Sequence, residues 1–436
     1  MIDFVVCKET IKNKEFYTFL GKVDRVVGLT IESTGPRARI GDVCKIYENK
    51  KSGRVYLAEV VGFKADKVLL VPYEDMNGVG FNYLVENTRR KLEISVSDAL
   101  IGRVINPLGK PMDGKGELVG GQRYSVEATN QNPLMRSRIK EVLHFGIKAI
   151  DGMLTIGKGQ RMGIFSGSGV GKSTLLGMIA RNAKSDVNVI ALVGERGREV
   201  REFIEKDLGK EGMERSILVV ATSDQSAMMR VKCALTASAV AEYFKDQGKD
   251  VLLMMDSLTR FAMAQREIGL AAGEPPVARG YTPSIYAAMP KLLERAGSFE
   301  KGSITALYTV LVEGDDTNEP ISDTVRGIVD GHIVLSRDIA SRNHYPSIDI
   351  LPSISRLMSD IVEPEENELA GRIREIMALY YANYDLITIG AYKPGANSRL
   401  DGAVFRIERV NTFLKQKVGE SFSREEVVNT MKEVLA

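Results

Sequence analysis

Apolar residues change their spacing twice along the chain. From residue 22 to about 90 they fall in short runs such as Val43–Tyr47, Val55–Val61 and Val68–Tyr73. Turn residues separate the runs, at Gly35-Pro36, Lys51-Ser52-Gly53 and Asn77-Gly78. Several short strands at this spacing predict a small barrel or sandwich. The stretch before them, with Val5, Thr10 and the Phe16–Leu20 cluster, fits either a helix or a partner-binding tail. From about 140, strand-like runs alternate with longer helical stretches, the signature of a parallel α/β sheet. Strands are predicted at Arg161–Phe165, Val187–Val193, Ile217–Ala221, Val251–Asp256, Ser303–Val312 and His332–Leu335. Helices fill the spaces, for example Lys172–Ala183 and Met228–Gln247. After Glu363-Pro364 the period becomes helical throughout. Leu369, Ile373, Ile376 and Tyr380 share one face, as do Ala403, Ile407, Val410 and Leu414. Ser423 with Glu426 fits a capping box before a last helix carrying Val427, Met431 and Val434. Three domains are therefore expected: a tail and barrel over 1–90, a core over 91–362 and a helical domain over 363–436.

Composition narrows the function classes. A length of 436 residues suits two or three domains. The formal net charge of +2 argues against a protein that coats nucleic acid. Met1-Ile2-Asp3-Phe4 lacks the layout of a signal peptide, and the longest apolar runs, such as Val251–Met255, are only strand-length. The expectation is a cytoplasmic protein whose membrane association, if any, is peripheral. Cys7, Cys44 and Cys233 are scattered, which speaks against a disulfide framework, and no spacing suits a protein-held zinc.

The strongest chemical signal is Ser166-Gly167-Ser168-Gly169-Val170-Gly171-Lys172-Ser173, between an apolar strand and a helix. Glycines let the backbone wrap an anion and turn its N–H groups inward, and the helix N-terminus adds positive potential. In such a loop Lys172 reaches the β- and γ-phosphates and Ser173 ligates Mg²⁺. Ser166 departs from the glycine of the strict pattern, a change that ordinary backbone angles would tolerate. Two acids are needed beyond the loop. Asp256 ends the apolar strand Val251–Met255, where a carboxylate holds the Mg²⁺ shell, usually through water. Glu195 ends the neighbouring run within Val193–Glu199, where it can polarise the attacking water; on spacing alone Glu199 serves equally well. Spacing cannot choose an arginine finger among the many arginines.

The motifs GSGVGKSTLL (167–176), VGERGRE (193–199) and MDSLTRFAMAQ (255–265) occur in this order. They are followed by EPPVARGYTPSIYAAMPKLLERAG (274–297), DGHIVLSR (330–337), HYPSID (344–349) and SISR (353–356). This set resembles the ATPases of type III protein export, relatives of the rotary F-type ATP synthase catalytic subunits, and looks most like the flagellar branch. The likeness is dense from about 140 to 362 and looser but collinear elsewhere. It implies an α/β chain, a RecA-like P-loop core with an N-terminal small β-barrel and a C-terminal helical domain. It also selects Glu195 over Glu199 as the catalytic glutamate and puts Arg196 beside the γ-phosphate. Tyr345 falls where the family stacks a ring on adenine, and Arg356 on the finger that acts on the adjacent protomer's nucleotide. Gly167, Ser168, Gly169, Val170, Gly171, Lys172, Ser173 and Thr174 would wrap ATP, with Mg²⁺ at Ser173 and Asp256. A small non-glycine residue at Ser166 suits the export branch.

The resemblance further implies a homohexamer at the cytoplasmic face of the inner membrane, with a stator-like regulatory protein and a central coiled-coil stalk. Export gate, substrates and chaperones would be further partners, and nucleic acid would not. Competing readings are an injectisome ATPase, a rotary synthase subunit and a ring RNA translocase. Tyr47, Tyr56 and Phe63 are stacking candidates for the last, although core packing suits their strand spacing better.

Overall fold

The computed structural model describes residues 19–49, 54–127, 132–312 and 319–436. The expected tail over the first eighteen residues and the turn at Lys51-Ser52-Gly53 lie outside the described residues.

Six strands form a closed barrel: β1 (Leu20–Val27), β2 (Thr30–Thr34), β3 (Val43–Tyr47), β4 (Tyr56–Lys64), β5 (Lys67–Pro72) and β6 (Leu84–Asn87). Their order is β1-β2-β5-β4-β3-β6, all antiparallel, so the barrel, not the sandwich, is realised and no edge is left open. Alternation decides the interior: Val23, Ile31, Cys44, Ile46, Ala58, Val60, Leu70 and Val85 are fully buried there. Tyr47 and Tyr56 are buried too, which removes them as stacking platforms, whereas Phe63 is 51% exposed.

The second unit is built on a nine-stranded sheet. Its strands are β7 (Val104–Ile105), β8 (Arg161–Ser166), β9 (Val187–Glu195), β10 (Ser216–Thr222), β11 (Asp250–Asp256), β12 (Gly297–Ser298), β13 (Ser303–Leu311), β14 (Gly331–Leu335) and β15 (Ile348–Ser355). The order is β15-β14-β8-β13-β11-β9-β10-β7, parallel from β14 to β7, with β12 pairing antiparallel to β13. Every residue of β9 is buried, as expected of a strand covered on both faces. The six predicted strands are all present, with ends shifted by one or two residues. Three strands have no local signal. β7 and β12 are only two residues long each. β15 carries Pro352, which argues against a strand; it survives because β15 is the antiparallel edge, where a missing N–H costs no ladder bond.

The predicted helices appear at Lys172–Asn182 and Ala227–Asp246. The C-terminal region has main helices at Pro364–Ala382, Ser398–Leu414 and Arg424–Leu435. In the first of these, Leu369 and Ile373 are buried as expected, but Met377 is buried where Ile376 and Tyr380 were expected, and those two are only half-buried. At 100° per residue the buried positions 369, 370, 373 and 377 span an arc of about 100°, and 376 falls about 20° outside it. The capping box is complete: the Glu426 carboxylate accepts from Ser423 N at 2.7 Å, and Ser423 Oγ accepts from Glu426 N at 3.3 Å.

Candidate functional site

β8 ends at Ser166 and the helix Lys172–Asn182 begins six residues later, so the connecting loop curls over the C-terminal edge of the sheet. Gly169 and Gly171 have φ of 78° and 84°, a region that side chains rarely enter, and this lets the loop close on itself. A Cβ at Gly171 would also sit 3.4 Å from the Tyr345 ring. Ser166 lies within the strand at negative φ, so the backbone tolerates it; its hydroxyl is buried without a hydrogen-bond partner. Ser347 Oγ donates to Val170 O at 2.6 Å and ties the loop to the segment that carries Tyr345. Gly167 is buried, Ser168 and Ser173 are exposed, and Thr174 is half-buried.

The two acids stand on adjacent strands. Asp256 closes β11 and is buried; its Oδ1 pairs with Lys172 Nζ and accepts from Thr309 Oγ1 at 2.8 Å. Glu195 closes β9, at 7% exposure. Burial, then a hydrogen bond shared with Glu199, then the charge of Asp256 push its carboxyl up to about 7, against the pull of Lys172 and Arg260. Glu199 is exposed in the first turn of the next helix, and its bond with Glu195 lowers its own pKa. The choice left open by spacing thus has a physical difference: one acid is buried at a strand end, the other solvated.

Beside the loop lies a cavity of about 810 Å³, lined by Gly169, Gly171, Thr174, Leu175, Met178 and Tyr345. Its far wall is the segment Lys415–Glu420, between two C-terminal helices, which sequence reasoning missed. Gln416 holds that segment in place. Its N–H donates to Tyr345 O at 3.0 Å, its Oε1 accepts from Lys148 N at 3.0 Å, and its Nε2 donates to Gly146 O at 2.8 Å. Nε2 also donates locally to Glu420 O at 2.9 Å, but the three bonds that anchor the segment reach partners more than sixty residues away, so no local signal reveals them. Arg260, also missed, follows Asp256 by four residues and contacts Glu195.

Arg196 is exposed and pairs with Glu199 at 3.4 Å. Arg356 stands apart from the rest. It follows β15, whose Ser355 faces Gly331 at the start of β14, while Leu335 at the other end of β14 faces Ser166. Its N–H donates to Asp330 O at 3.0 Å and its Nη2 to Arg326 O at 3.3 Å. The loop and Arg356 therefore occupy opposite edges of the same sheet. Among the described residues no cluster of three or more His, Cys, Asp or Glu side chains gathers as a metal cage, and no helix is long and apolar enough to cross a membrane.

Comparison with known proteins extends this geometry. A family model for the nucleotide-binding domain of the ATP synthase alpha/beta family matches residues 146–355, and that family's beta-barrel domain matches 23–89. The T3SS EscN ATPase C-terminal domain matches 362–433. Over 420 residues the chain is 54% identical to the flagellum-specific ATP synthase of Bacillus subtilis (strain 168), covering 96% of each. It superimposes on the assembled ATPase EscN of the enteropathogenic E. coli type III secretion system with a TM-score of 0.90 and 44% identity, covering 95% of this chain and 100% of that one. EscN in complex with its central stalk EscO matches with a TM-score of 0.88 and 43% identity over the same shares.

Proposed function

The chain belongs to the ATP synthase alpha/beta family, in the branch of flagellum-specific ATP synthases and type 3 secretion system ATPases, and from that premise we propose that it hydrolyses Mg-ATP in a six-membered ring to energise type III export of flagellar proteins. The observation that carries the reading is Glu195, a buried acid at the end of β9 that interacts with the Lys172–Asp256 pair. A site that only binds nucleotide has no need of a buried acid there.

The proposed roles follow from chemistry. Backbone N–H groups from Gly167 to Thr174 surround the phosphates, and Lys172 neutralises the β- and γ-groups. The Ser173 hydroxyl and the Asp256 carboxylate form a hard oxygen set that suits Mg²⁺ arriving with the nucleotide; both described hydrogen bonds to Asp256 fall on Oδ1, which leaves Oδ2 for the ion's water shell. Bound there, Mg²⁺ offsets charge on the phosphates. Tyr345 stacks on the base, Arg196 approaches the γ-phosphate, and Glu195 takes the proton of the attacking water. Arg356 acts on the site of the next protomer. We assign the barrel to residues up to 90, the core to 91–362 and the helical domain to 363–436. A central stalk, a stator-like protein, the export gate, and substrates with their chaperones are the proposed partners, at the inner face of the membrane. An injectisome role is the second reading, favoured by the likeness to EscN; loss of motility with effector delivery intact on gene deletion decides for the flagellar one.

The shared-site reading is tested by ATPase rate per protomer as a function of protein concentration, with mass measured in parallel. A steep rise that coincides with ring mass is expected; a flat profile from a monomer overturns it. A second expectation concerns pH. As a base Glu195 must be ionised, and its pKa is raised to about 7. Turnover should therefore fall roughly tenfold per unit below pH 7 and level off above it. A rate independent of pH between 5.5 and 8 would remove Glu195 from proton transfer.

A further inference from the structure

The far wall of the cavity has a second anchor beyond Gln416. His144 precedes the short helix Lys148–Met153, and its Nε2 lies 2.7 Å from Phe422 O, two residues past the cavity-lining segment Lys415–Glu420. A carbonyl oxygen only accepts, so Nε2 carries a proton in this contact. The other ring nitrogen, Nδ1, is buried without an aligned hydrogen-bond partner and stands 3.1 Å from Asp151 Oδ2. Asp151 is buried as well; its Oδ1 accepts from Phe145 N at 2.9 Å and its Oδ2 from Ile147 N at 3.1 Å. A neutral His144 that spends its one proton on Phe422 would point a bare lone pair at a carboxylate oxygen. A further proton between Nδ1 and Oδ2 removes that repulsion. The contact with Phe422 therefore depends on a proton shared by the two side chains.

We propose that His144 is a positioning residue for nucleotide binding, operated by the proton it shares with Asp151: with that proton it holds Phe422 and keeps the Lys415–Glu420 wall in place, and without it the ring lets Phe422 go and the wall loosens. This rests on the reading of the cavity as the seat of the base. Gln416 anchors the start of the wall segment, and Arg181 Nη2 donates to Val418 O at 3.0 Å in its middle. At its end Phe422 N reaches Gly146 O over 3.4 Å, a long bond, so the His144 contact is the shorter hold there. The pair can carry two protons beyond a bare carboxylate and a neutral ring. Losing the first leaves imidazolium facing carboxylate and keeps the latch; losing the last undoes it. Burial pushes the Asp151 carboxyl up to about 6, against the charge of His144 and the N–H groups of Phe145, Ile147 and Gly146, so the latch opens above that pH. The latched form binds the last proton more tightly than the released form. Nucleotide binding is therefore strongest at low pH and weakens as pH rises. Other charged groups on the packed elements are Lys148 on the helix of Asp151, Arg181 and Lys184 at the end of the phosphate-loop helix, Arg374 at Met153 O, Glu420, and Arg424 paired with Glu366. The cations among them act for release of the shared proton, and Asp151 acts for its retention.

The experiment follows full-length wild type, His144→Gln and His144→Ala from pH 6 to 9 by three readouts: calorimetric binding of Mg-ADP, hydrogen-exchange protection of residues 415–422, and nitrogen spectra of ¹⁵N-histidine-labelled wild type. The chain has three histidines, so the His144 signals are assignable. Wild-type affinity for Mg-ADP should fall about tenfold across the range, the worth of one hydrogen bond from a charged donor. Protection of 415–422 should fall with it, and the His144 Nδ1 signal should change over the same range. In His144→Gln the side-chain amide donates where Nε2 did and has nothing to titrate, so its affinity should vary by less than about twofold. That variant also carries every other ionisation of protein and nucleotide as a control. His144→Ala has no latch and should bind about tenfold more weakly at pH 6, with little further loss on raising the pH. The same pH dependence in wild type and His144→Gln would overturn the proposal. So would a His144 Nδ1 signal that does not change between pH 6 and 9. Protection that follows pH while Mg-ADP affinity stays constant in all three proteins would leave the latch standing and refute the base-site reading instead. If His144→Gln does not fold, the wild-type nitrogen spectra carry the test, and an Nδ1 transition that fails to coincide with the loss of protection counts against the proposal.

Discussion

Glu195→Gln should bind Mg-ATP with nearly wild-type affinity and hydrolyse it about 10³-fold more slowly, the scale of a lost general base. The substitution keeps the size and planarity of the side chain and can still donate to neighbours, so the buried pocket at the end of β9 stays filled. What it removes is the proton acceptor. Lys172, Asp256 and the loop backbone, the proposed seat of the phosphates and Mg²⁺, are left intact. Rapid-quench measurement of one turnover, beside equilibrium binding of a fluorescent ATP analogue, separates the two quantities. Turnover unchanged within about twofold would show that another group takes the proton, with Glu199 the next candidate through its shared hydrogen bond. Loss of binding in step with turnover would instead mark Glu195 as part of the nucleotide's seat. Glu199→Gln provides the contrast. Glu199 is exposed at the start of a helix, so its substitution should have a much smaller effect on the chemical step.

How far this site could be read without coordinates depends on how local each cause is. The loop was legible because its strand, glycines, lysine and helix are contiguous, and the structure adds only that Ser166 keeps strand geometry. Asp256 was legible because an apolar run ending in an acid has one natural placement. Glu195 and Glu199 were not separable by spacing; the difference lies in burial at a strand end where β9 changes register, a tertiary fact. Family likeness pointed to Tyr345 and Arg356. The wall opposite Tyr345 had no such help: Gln416 is a polar residue between lysines in a short loop, and the bonds of its amide to Lys148 and Gly146, far away in sequence, are what anchor it. The barrel was legible through alternation, but closure over sandwich depended on β1 meeting β6, a pairing across some sixty residues. β15 was concealed by Pro352, whose effect is harmless only at a sheet edge. The loop and Asp256 are thus locally determined, while the cavity beside Tyr345 and the burial of Glu195 depend on long-range packing.

Arg356→Ala should lower hydrolysis by about 10³-fold or more while leaving each protomer able to bind nucleotide, the scale expected for an arginine finger. Sheet topology makes this a statement about neighbours. Arg356 follows Ser355, which faces the start of β14, while the phosphate loop follows the far end of β8. The six residues of β8 span roughly 17 Å at about 3.3 Å per residue, beyond the reach of an arginine side chain to its own γ-phosphate. A finger at this position has work to do only in another copy's site. Arg356→Ala mixed with Lys172→Ala tests that directly. Each variant alone has a defect in every site. In rings assembled at random from equal amounts, about one interface in four joins an intact loop to an intact finger, since rotationally related protomers repeat the same loop-to-finger contact. Activity should therefore recover to roughly a quarter of the wild-type value if sites fire independently, and to less if firing is cooperative around the ring. Measured on rings verified by mass, this recovery is the expected result. Complete absence of recovery in verified mixed rings, with both parents inactive, would mean that the sites are not shared and that some residue nearer Glu195, in the same chain, supplies the charge.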